Sequence, residues 1–313
     1  NNLELLAALL ADELRRPVGG QALLAPDTVL IPQVAMRRWL QATLATKYGI
    51  AANLEFLTPG EFVARALDAN PASGADADDD LDMAAMQWRL YAALGDPVLR
   101  SHRALAAMST WLDDGDPLKP WSLAGELAGV YEKYQAWRRD WLLRWEAGAD
   151  PDDPQAVLWR HVAAGRDYRA RRIHDYLARF GRDDGPLPQG LPKRLLVFAT
   201  LNISPDVLRV LATQARVGTL HFYLPTPARG YWGDLQTLRE RRRDGQAALF
   251  ADEVQENPLL QAWGAAGRDF IALLGDYEVV HPRAEIDVYA DPLAGDAPGT
   301  LLHRLQSDLF HRR

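Results

Sequence analysis

Hydrophobic and polar positions follow two periods along this chain, and each change of period marks an element. Leu3 to Leu14 carries leucines and alanines at helical spacing behind a cap and an acidic first turn, Asn1-Asn2-Leu3-Glu4, and ends before Pro17. After the turn Ala25-Pro26-Asp27, the apolar run Thr28-Val-Leu-Ile-Pro32 predicts a short buried strand. From Val34 to Tyr48 the period is helical again. Met36, Trp39, Leu40 and Leu44 share one side, Arg37, Arg38 and Gln41 the other, and Gly49 follows as C-cap. A strand running straight into a helix is the opening of an α/β unit.

Asp68 to Asp82 breaks the pattern with small and acidic residues. Its Ala75-Asp-Ala-Asp-Asp-Asp-Leu-Asp82 lacks the central Gly and distal Glu of a calcium loop, so it reads as an acidic flexible loop. Five helical stretches follow without a strand: Leu81–Leu94, Leu99–Leu112, Leu123–Trp145, Gln155–Ala164 and Tyr168–Phe180. Such a run after an α/β opening predicts an inserted helical subdomain. Past the Gly/Pro loop 183–192, the chain reads strand (194–200), helix (205–213), strand (218–224), which returns it to a parallel sheet. Pro225 to Glu256 is loop-rich and holds the charged run Arg239-Glu-Arg-Arg-Arg-Asp244. Asn257-Pro258 caps a helix from Leu259 to Leu274, with Leu260, Trp263, Phe270, Ile271 and Leu274 on its apolar face. Glu285 to Tyr289 alternates like a strand, and a helix runs from His303 to the end. The start on a helix cap and the finish within a helix point to a piece of a longer protein.

The resulting division is an α/β domain of residues 1–67 and 183–313, a helical insert of 81–182 and an acidic loop of 68–80. The 313 residues, 48% hydrophobic, suffice for roughly two domains with a sizeable core. No stretch nears the roughly 18 consecutive apolar residues of a membrane span, and no secretory leader pattern is present. The absence of cysteine excludes disulfides, thiolate metal sites and cysteine nucleophiles, and it permits a reducing, cytoplasmic setting. The net charge of −7 argues against a wholly basic nucleic-acid coat protein. Only four of the 35 basic residues are lysine, a bias explained by GC-rich codons or by the fitness of arginine for phosphate contacts.

A parallel sheet invites a search for nucleotide chemistry. There is no G-x-x-x-x-G-K-[ST], no Gly-Lys pair, and no G-x-G-x-x-G after a strand. The strand at 194–198 ends Phe198-Ala199-Thr200 without the carboxylate that would hold magnesium. The seven histidines are scattered, and no G-x-S-x-G occurs. No active site or metal is expected in this chain. Two segments are locally basic: Thr28 to Leu54 has three basic residues and no acid, and Arg160 to Arg182 has seven arginines against Asp167 and Asp175. Either patch neutralises phosphates or is a solvated helix face. Trp137, Trp141 and Trp145, interleaved with Arg138, Arg139 and Arg144, are either a core stripe with a charged rim or a stacking platform for bases.

Five irregular strings carry a resemblance: Trp39-Leu-Gln-x-Thr-Leu-x-x-Lys-x-Gly-Ile-Ala-Ala-Asn53, Asp140-Trp-Leu-x-x-Trp-Glu-x-Gly148, Tyr231-Trp-Gly-Asp234, Asn257-Pro-Leu-Leu-x-x-Trp-Gly-x-x-Gly-Arg-Asp269 and Leu302-His-x-x-Gln-Ser-Asp308. With these the chain resembles the N-terminal part of the RecC family, the gamma subunits of exodeoxyribonuclease V. The likeness covers about the first third of a family chain, and family members usually carry one more strand ahead of Asn1. It implies a degenerate superfamily-1 helicase-like fold: a parallel-sheet domain without ATPase motifs and with a large helical insert. It also implies a non-catalytic subunit that holds RecB-like and RecD-like partners, splits forked duplex DNA, channels single strands and scans the 3′-ended strand for a Chi-like signal in double-strand break repair. ATP and Mg2+ would be used by the partners, in the bacterial cytoplasm at the nucleoid.

The resemblance places the strand path at Arg38, Thr58, Val130, Glu132, Arg138 and Arg169. Arg138 and Arg169 are retained in kind, and Val130 and Glu132 are mild replacements. Pro32, Val34, Arg38, Thr58, Ala64 and Gly129 depart from the family residues. Base readout needs matched donors and acceptors, so the expectation is a conserved path with a changed or lost recognition sequence. The helices of Arg38, Arg138 and Arg169 are expected to converge on one channel. The alternatives are an active helicase or nuclease chain, and a protein scaffold without DNA contact.

Overall fold

The computed structural model describes residues 2–22, 24–49, 51–71, 81–235, 257–275, 286–294 and 299–313. In chain order, the first elements are α1 (Leu3–Leu14), β1 (Asp27–Leu30), α2 (Val34–Tyr48), β2 (Leu54–Leu57) and α3 (Pro59–Asp68). Then come α4 (Met83–Gly95), α5 (Pro97–Arg100), α6 (Ala106–Leu112), α7 (Lys119–Trp137), α8 (Arg139–Glu146), α9 (Pro154–Ala163) and α10 (Arg169–Phe180). The last are β3 (Arg194–Phe198), α11 (Pro205–Ala212), β4 (Thr219–Tyr223), α12 (Pro258–Trp263), α13 (Ala265–Gly275) and α14 (Leu301–Phe310). Two compact units result: a sheet unit of Asn1–Arg65 and Gly190–Arg313, and a helical unit of Ala66–Gln189. No helix among the described residues is long and apolar enough to cross a membrane.

The sheet unit holds a four-stranded sheet of order β2-β1-β3-β4. All its pairs are parallel, with Leu30 opposite Leu57, Val29 opposite Leu196 and Phe198 opposite Tyr223. The chain steps one way from β1 to β2 and the other way from β3 to β4. Right-handed crossovers then put their connecting helices on opposite faces. The core agrees. Leu6 and Leu10 of α1 and Leu40 and Leu44 of α2 pack with Val29, Ile31, Leu196 and Phe198. On the other face, Leu208 and Leu211 of α11 pack with Leu30, Leu195, Val197, Phe62 and Phe270. Strands buried on both faces read as continuous apolar runs, which is why β1 and β3 show in the sequence.

The first strand residue of β3 is an exception to that apolar run. Arg194 is 3% exposed, and its guanidinium donates to Asp27 Oδ1 at 2.8 and 3.0 Å. It also donates to the carbonyls of Glu13 (2.6 Å) and Arg16 (2.9 Å). One buried cation thus ties the end of α1 to the start of β1.

β2 and α3 are additions to the sequence reading. Their signal is a capping box: Thr58 Oγ1 accepts from Glu61 N at 3.3 Å while Glu61 Oε2 accepts from Thr58 N at 2.6 Å, with Pro59 at the first helical position. β2 is only four residues long, too short for alternation to register.

Three long helices expected from periodicity are broken. Leu99–Leu112 becomes α5, a 3-10 turn at Arg103–Leu105, and α6. There His102 Nδ1 accepts from Ala104 N, a side-chain bond that competes with the helical ladder. Leu259–Leu274 splits into α12 and α13 at Gly264, where an added Cβ would lie 2.4 Å from the Leu260 carbonyl. The break leaves Trp263 83% exposed, off the apolar face assigned to it. Leu123–Trp145 splits at Arg138, with consequences described below.

Residues 286–290 form no strand. Glu285 itself, the charged run 239–244 and most of the acidic loop lie outside the described residues.

Candidate nucleic-acid interface

In a parallel sheet, ligands bind beyond the carboxyl ends of the strands where the strand order reverses. Here that point lies between β1 and β3. β1 passes to α2 through Ile31, Pro32 and Gln33 alone, so no glycine-rich loop cradles a phosphate, and Pro32 contributes no N–H. β3 is followed by Ala199 (φ 54°), and the Thr200 hydroxyl is taken up by the Phe198 carbonyl at 3.1 Å. These residues offer neither a lysine for a γ-phosphate nor a carboxylate for magnesium, as their sequence implies. Among the described residues no group of acids and histidines is placed to hold a metal ion.

In the sheet unit, Arg38 stands exposed on α2. Thr58 is the N-cap of α3, with its hydroxyl also donating to Glu61 at 2.9 Å. Its hydroxyl and N–H are both engaged with Glu61 in this cap.

The remaining candidates lie in the helical unit. α7 and α8 meet at Arg138, whose backbone (φ −139°, ψ 42°) leaves the helical region. Its N–H still closes α7 on the Tyr134 carbonyl (2.7 Å), and its carbonyl opens α8 by accepting from Trp141 N (3.0 Å). The break parts the tryptophan stripe. Trp145 turns inward, 4% exposed, and its indole N–H donates to Asp150 at 3.0 Å. Trp137 and Trp141 stay 46% and 38% exposed. The core-stripe reading therefore holds for one of the three.

Trp141 is braced from the protein side by Tyr134 and Trp145, with ring centroids at 5.6 and 6.1 Å. Tyr134 is itself anchored through its hydroxyl to Gln155 Oε1 at 2.9 Å. The exposed Arg138 guanidinium lies 5.5 Å from the Trp141 ring centre, within cation–π range, and donates to the Trp137 carbonyl. No acidic side chain pairs with it among the described residues.

Glu132 and Arg169 come together: Arg169 donates to Glu132 Oε1 at 2.8 Å. The buried Gln135 joins them, donating to Glu132 Oε2 (3.4 Å) and accepting from the Ala170 N–H (3.3 Å) at the start of α10. Val130 is half-buried on α7, one turn before Tyr134.

Two more arginines of the basic segment, Arg171 and Arg172, are also paired with acids, while Arg179 lies over the Phe180 ring. Arg171 pairs with Glu146 and lies over the Tyr168 ring, whose hydroxyl also donates to Glu146 at 2.7 Å. Burial pushes that phenol well above its ordinary pKa, so it stays a donor. Arg172 pairs with Asp68 at 2.6 Å, and Arg160 donates to the carbonyls of Trp145 and Ala149. The acids that neutralise the segment lie mostly outside it in sequence, at 68, 132 and 146. A local charge count cannot find them.

Comparison with known proteins gives a consistent assignment. The family model described as RecC, N-terminal domain, matches residues 1–312. The chain is 29% identical to RecBCD enzyme subunit RecC of Escherichia coli (strain K12) over 91% of its own length and 28% of that protein's. It is 26% identical to the Haemophilus influenzae protein of the same name over 91% of the chain and 30% of the relative. For the Mycolicibacterium smegmatis protein the identity is 26% over 97% of the chain and 26% of the relative. The chain thus spans under a third of the length of these relatives. With the family model matching residues 1–312, the chain belongs to the RecC family and corresponds to its N-terminal domain.

Proposed function

We propose that this chain is the N-terminal part of a non-catalytic DNA-binding and scaffold subunit of a RecBCD-type helicase and nuclease. The fold is read as a helicase-like domain that has lost its nucleotide site. The observation that carries the reading is the family match along the whole chain. The sheet's switch point supports it, because Pro32 and Ala199 stand where nucleotide chemistry needs a phosphate loop and a carboxylate. ATP and Mg2+ are then used by RecB-like and RecD-like partners. This subunit guides single-stranded DNA past Arg38, Arg138 and Arg169 in double-strand break repair.

The departures at Pro32, Val34, Arg38, Thr58, Ala64 and Gly129 support a strand path whose sequence preference differs from that of the relatives. Arginine binds phosphate or stacks on a base without needing a particular base.

The test uses the full-length protein assembled with its partner subunits. Arg138→Ala combined with Arg169→Ala is expected to weaken single-stranded DNA binding and make it less salt-dependent. Unchanged affinity and salt slope would overturn the DNA path. ATP turnover by the full-length subunit alone would overturn the non-catalytic reading.

A second reading, a protein scaffold without DNA contact, is favoured by one observation. Trp88, Tyr91 and Trp121 form an exposed aromatic cluster with ring centroids 4.6 to 6.2 Å apart. Crosslinking of this subunit to a 3′-ended strand in the complex decides against it.

A further inference from the structure

We infer that the break between α7 and α8 is a base-stacking platform, with the Trp141 indole as its floor and Arg138 as its phosphate-seeking arm. The inference rests on the proposed DNA path and adds to it a residue, a binding mode and a sequence-tolerant substrate class.

Two exposed tryptophans flank one exposed arginine within a single turn of chain. An isolated exposed aromatic residue needs no explanation, but this group is built. Tyr134 and Trp145 hold the indole in place from behind, and each is fixed by a hydrogen bond of its own, to Gln155 and Asp150. A floor held in this way loses little side-chain freedom when a ring settles on it.

The charge around the floor suits a polyanion. Lys133, Arg138, Arg139 and Arg144 stand against Asp140 between residues 133 and 144. Of these, Arg144 is taken up by Asp150. Arg138 is held by the indole it covers and by the Trp137 carbonyl. Both holds are weak enough to exchange: the guanidinium moves to a phosphate, and a base takes its place on the indole. Every base has a π-face, so such a site grips single strands without reading sequence. The Trp88–Tyr91–Trp121 cluster lacks this feature, since no arginine or lysine lies over those rings among the described residues.

The experiment uses the full-length subunit in its assembled complex and two probes, oligo(dT) and an abasic strand of equal length. Trp141→Ala is expected to weaken oligo(dT) binding about ten-fold while leaving abasic-strand binding and the salt slope unchanged. Arg138→Ala is expected to weaken both probes and to lower the salt slope by about 1. Trp141→Phe should keep most of the affinity. Trp141→Leu, which retains apolar packing on Tyr134 and Trp145 but has no π-face, should behave as Ala, and it stands in if Trp141→Ala fails to fold. Equal oligo(dT) affinity for Trp141→Leu and the wild type would overturn the platform and leave the DNA path standing. If the wild-type complex binds neither probe, the path and the platform fall together.

Discussion

Two stretches of the helical unit set arginines beside aromatic rings, and they use them differently. On α10, Arg169, Arg171 and Arg172 each meet a carboxylate, and Arg171 also covers the Tyr168 ring. At the α7–α8 break, Arg138 covers the Trp141 ring and meets no carboxylate among the described residues. The α10 stretch has the larger basic excess in sequence, and the structure commits Arg169, Arg171 and Arg172 to ion pairs while Arg179 lies over the Phe180 ring. In the smaller stretch it is Arg138 that keeps its charge open. The sheet unit takes the first use to its limit in Arg194, buried on Asp27 and two carbonyls. An arginine buried in a long-range pair belongs to the fold, and one that keeps an open face, as Arg138 does and as Arg169 does beside Glu132, is available to a ligand. Net charge, over the chain or over a window, does not separate them.

The largest effect falls on the most deeply held arginine. Arg194→Met leaves the Asp27 carboxylate without its counter-ion and frees the Glu13 and Arg16 carbonyls. Breaking one side of a buried pair costs about 3–5 kcal/mol, read as a lowered urea midpoint. A loss below about 1 kcal/mol would mean the pair is not held, and the distinction between the two arginine classes would fail at its clearest case.

α10 and the break can be compared directly. Arg171→Ala is expected to cost about 1.5 kcal/mol, because Glu146 loses an ion pair and Tyr168 its cover. Arg138→Ala should stay within about 0.5 kcal/mol of the wild type, as exposed substitutions do, while weakening single-strand binding. Equal stability losses for the two variants would erase the comparison. Thr58 offers a control of a third kind. Thr58→Ala removes the capping box of α3 and is expected to cost about 1 kcal/mol with no change in DNA affinity, measured on the same samples. A loss of affinity without loss of stability would return Thr58 to the strand path.

These contrasts also show what the sequence discloses. α2 and α10 are legible because their apolar faces are periodic and their ends are marked, by Gly49 in one and by the buried Ile173–Tyr176–Phe180 side in the other. β3 is legible because it is buried on both faces. The Arg138 break is not, since no Gly or Pro stands there and Trp137, Trp141 and Trp145 keep helical spacing across it. The Glu132–Arg169 pair is not, because its partners lie far apart in sequence on different helices. The capping box at Thr58 is written in the sequence in full, but it opens a helix that follows too short a strand to draw attention to it.

The smallest effect is a pH dependence that burial imposes on a histidine beside a held arginine. His221, on β4, has a buried Nε2 without a hydrogen-bond partner, 3.7 Å from Glu13 Oε1. Burial lowers its pKa from the ordinary 6.5. The Glu13 carboxylate opposes that shift, and Arg194 and Arg16 reinforce it. A histidine whose folded pKa is depressed binds fewer protons folded than unfolded. Its contribution to stability is complete above pH 6.5 and is lost as the pH falls from there through the folded value. Wild-type protein should therefore lose stability between about pH 7 and pH 5.5, and His221→Gln should lose less across that interval, both followed by urea midpoints. Parallel slopes for the two proteins would show that neither burial nor the neighbouring cations depress the His221 pKa. The same interval gives a finer comparison: Arg194→Lys, which keeps the charge but not the fork, should preserve more of the slope than Arg194→Met.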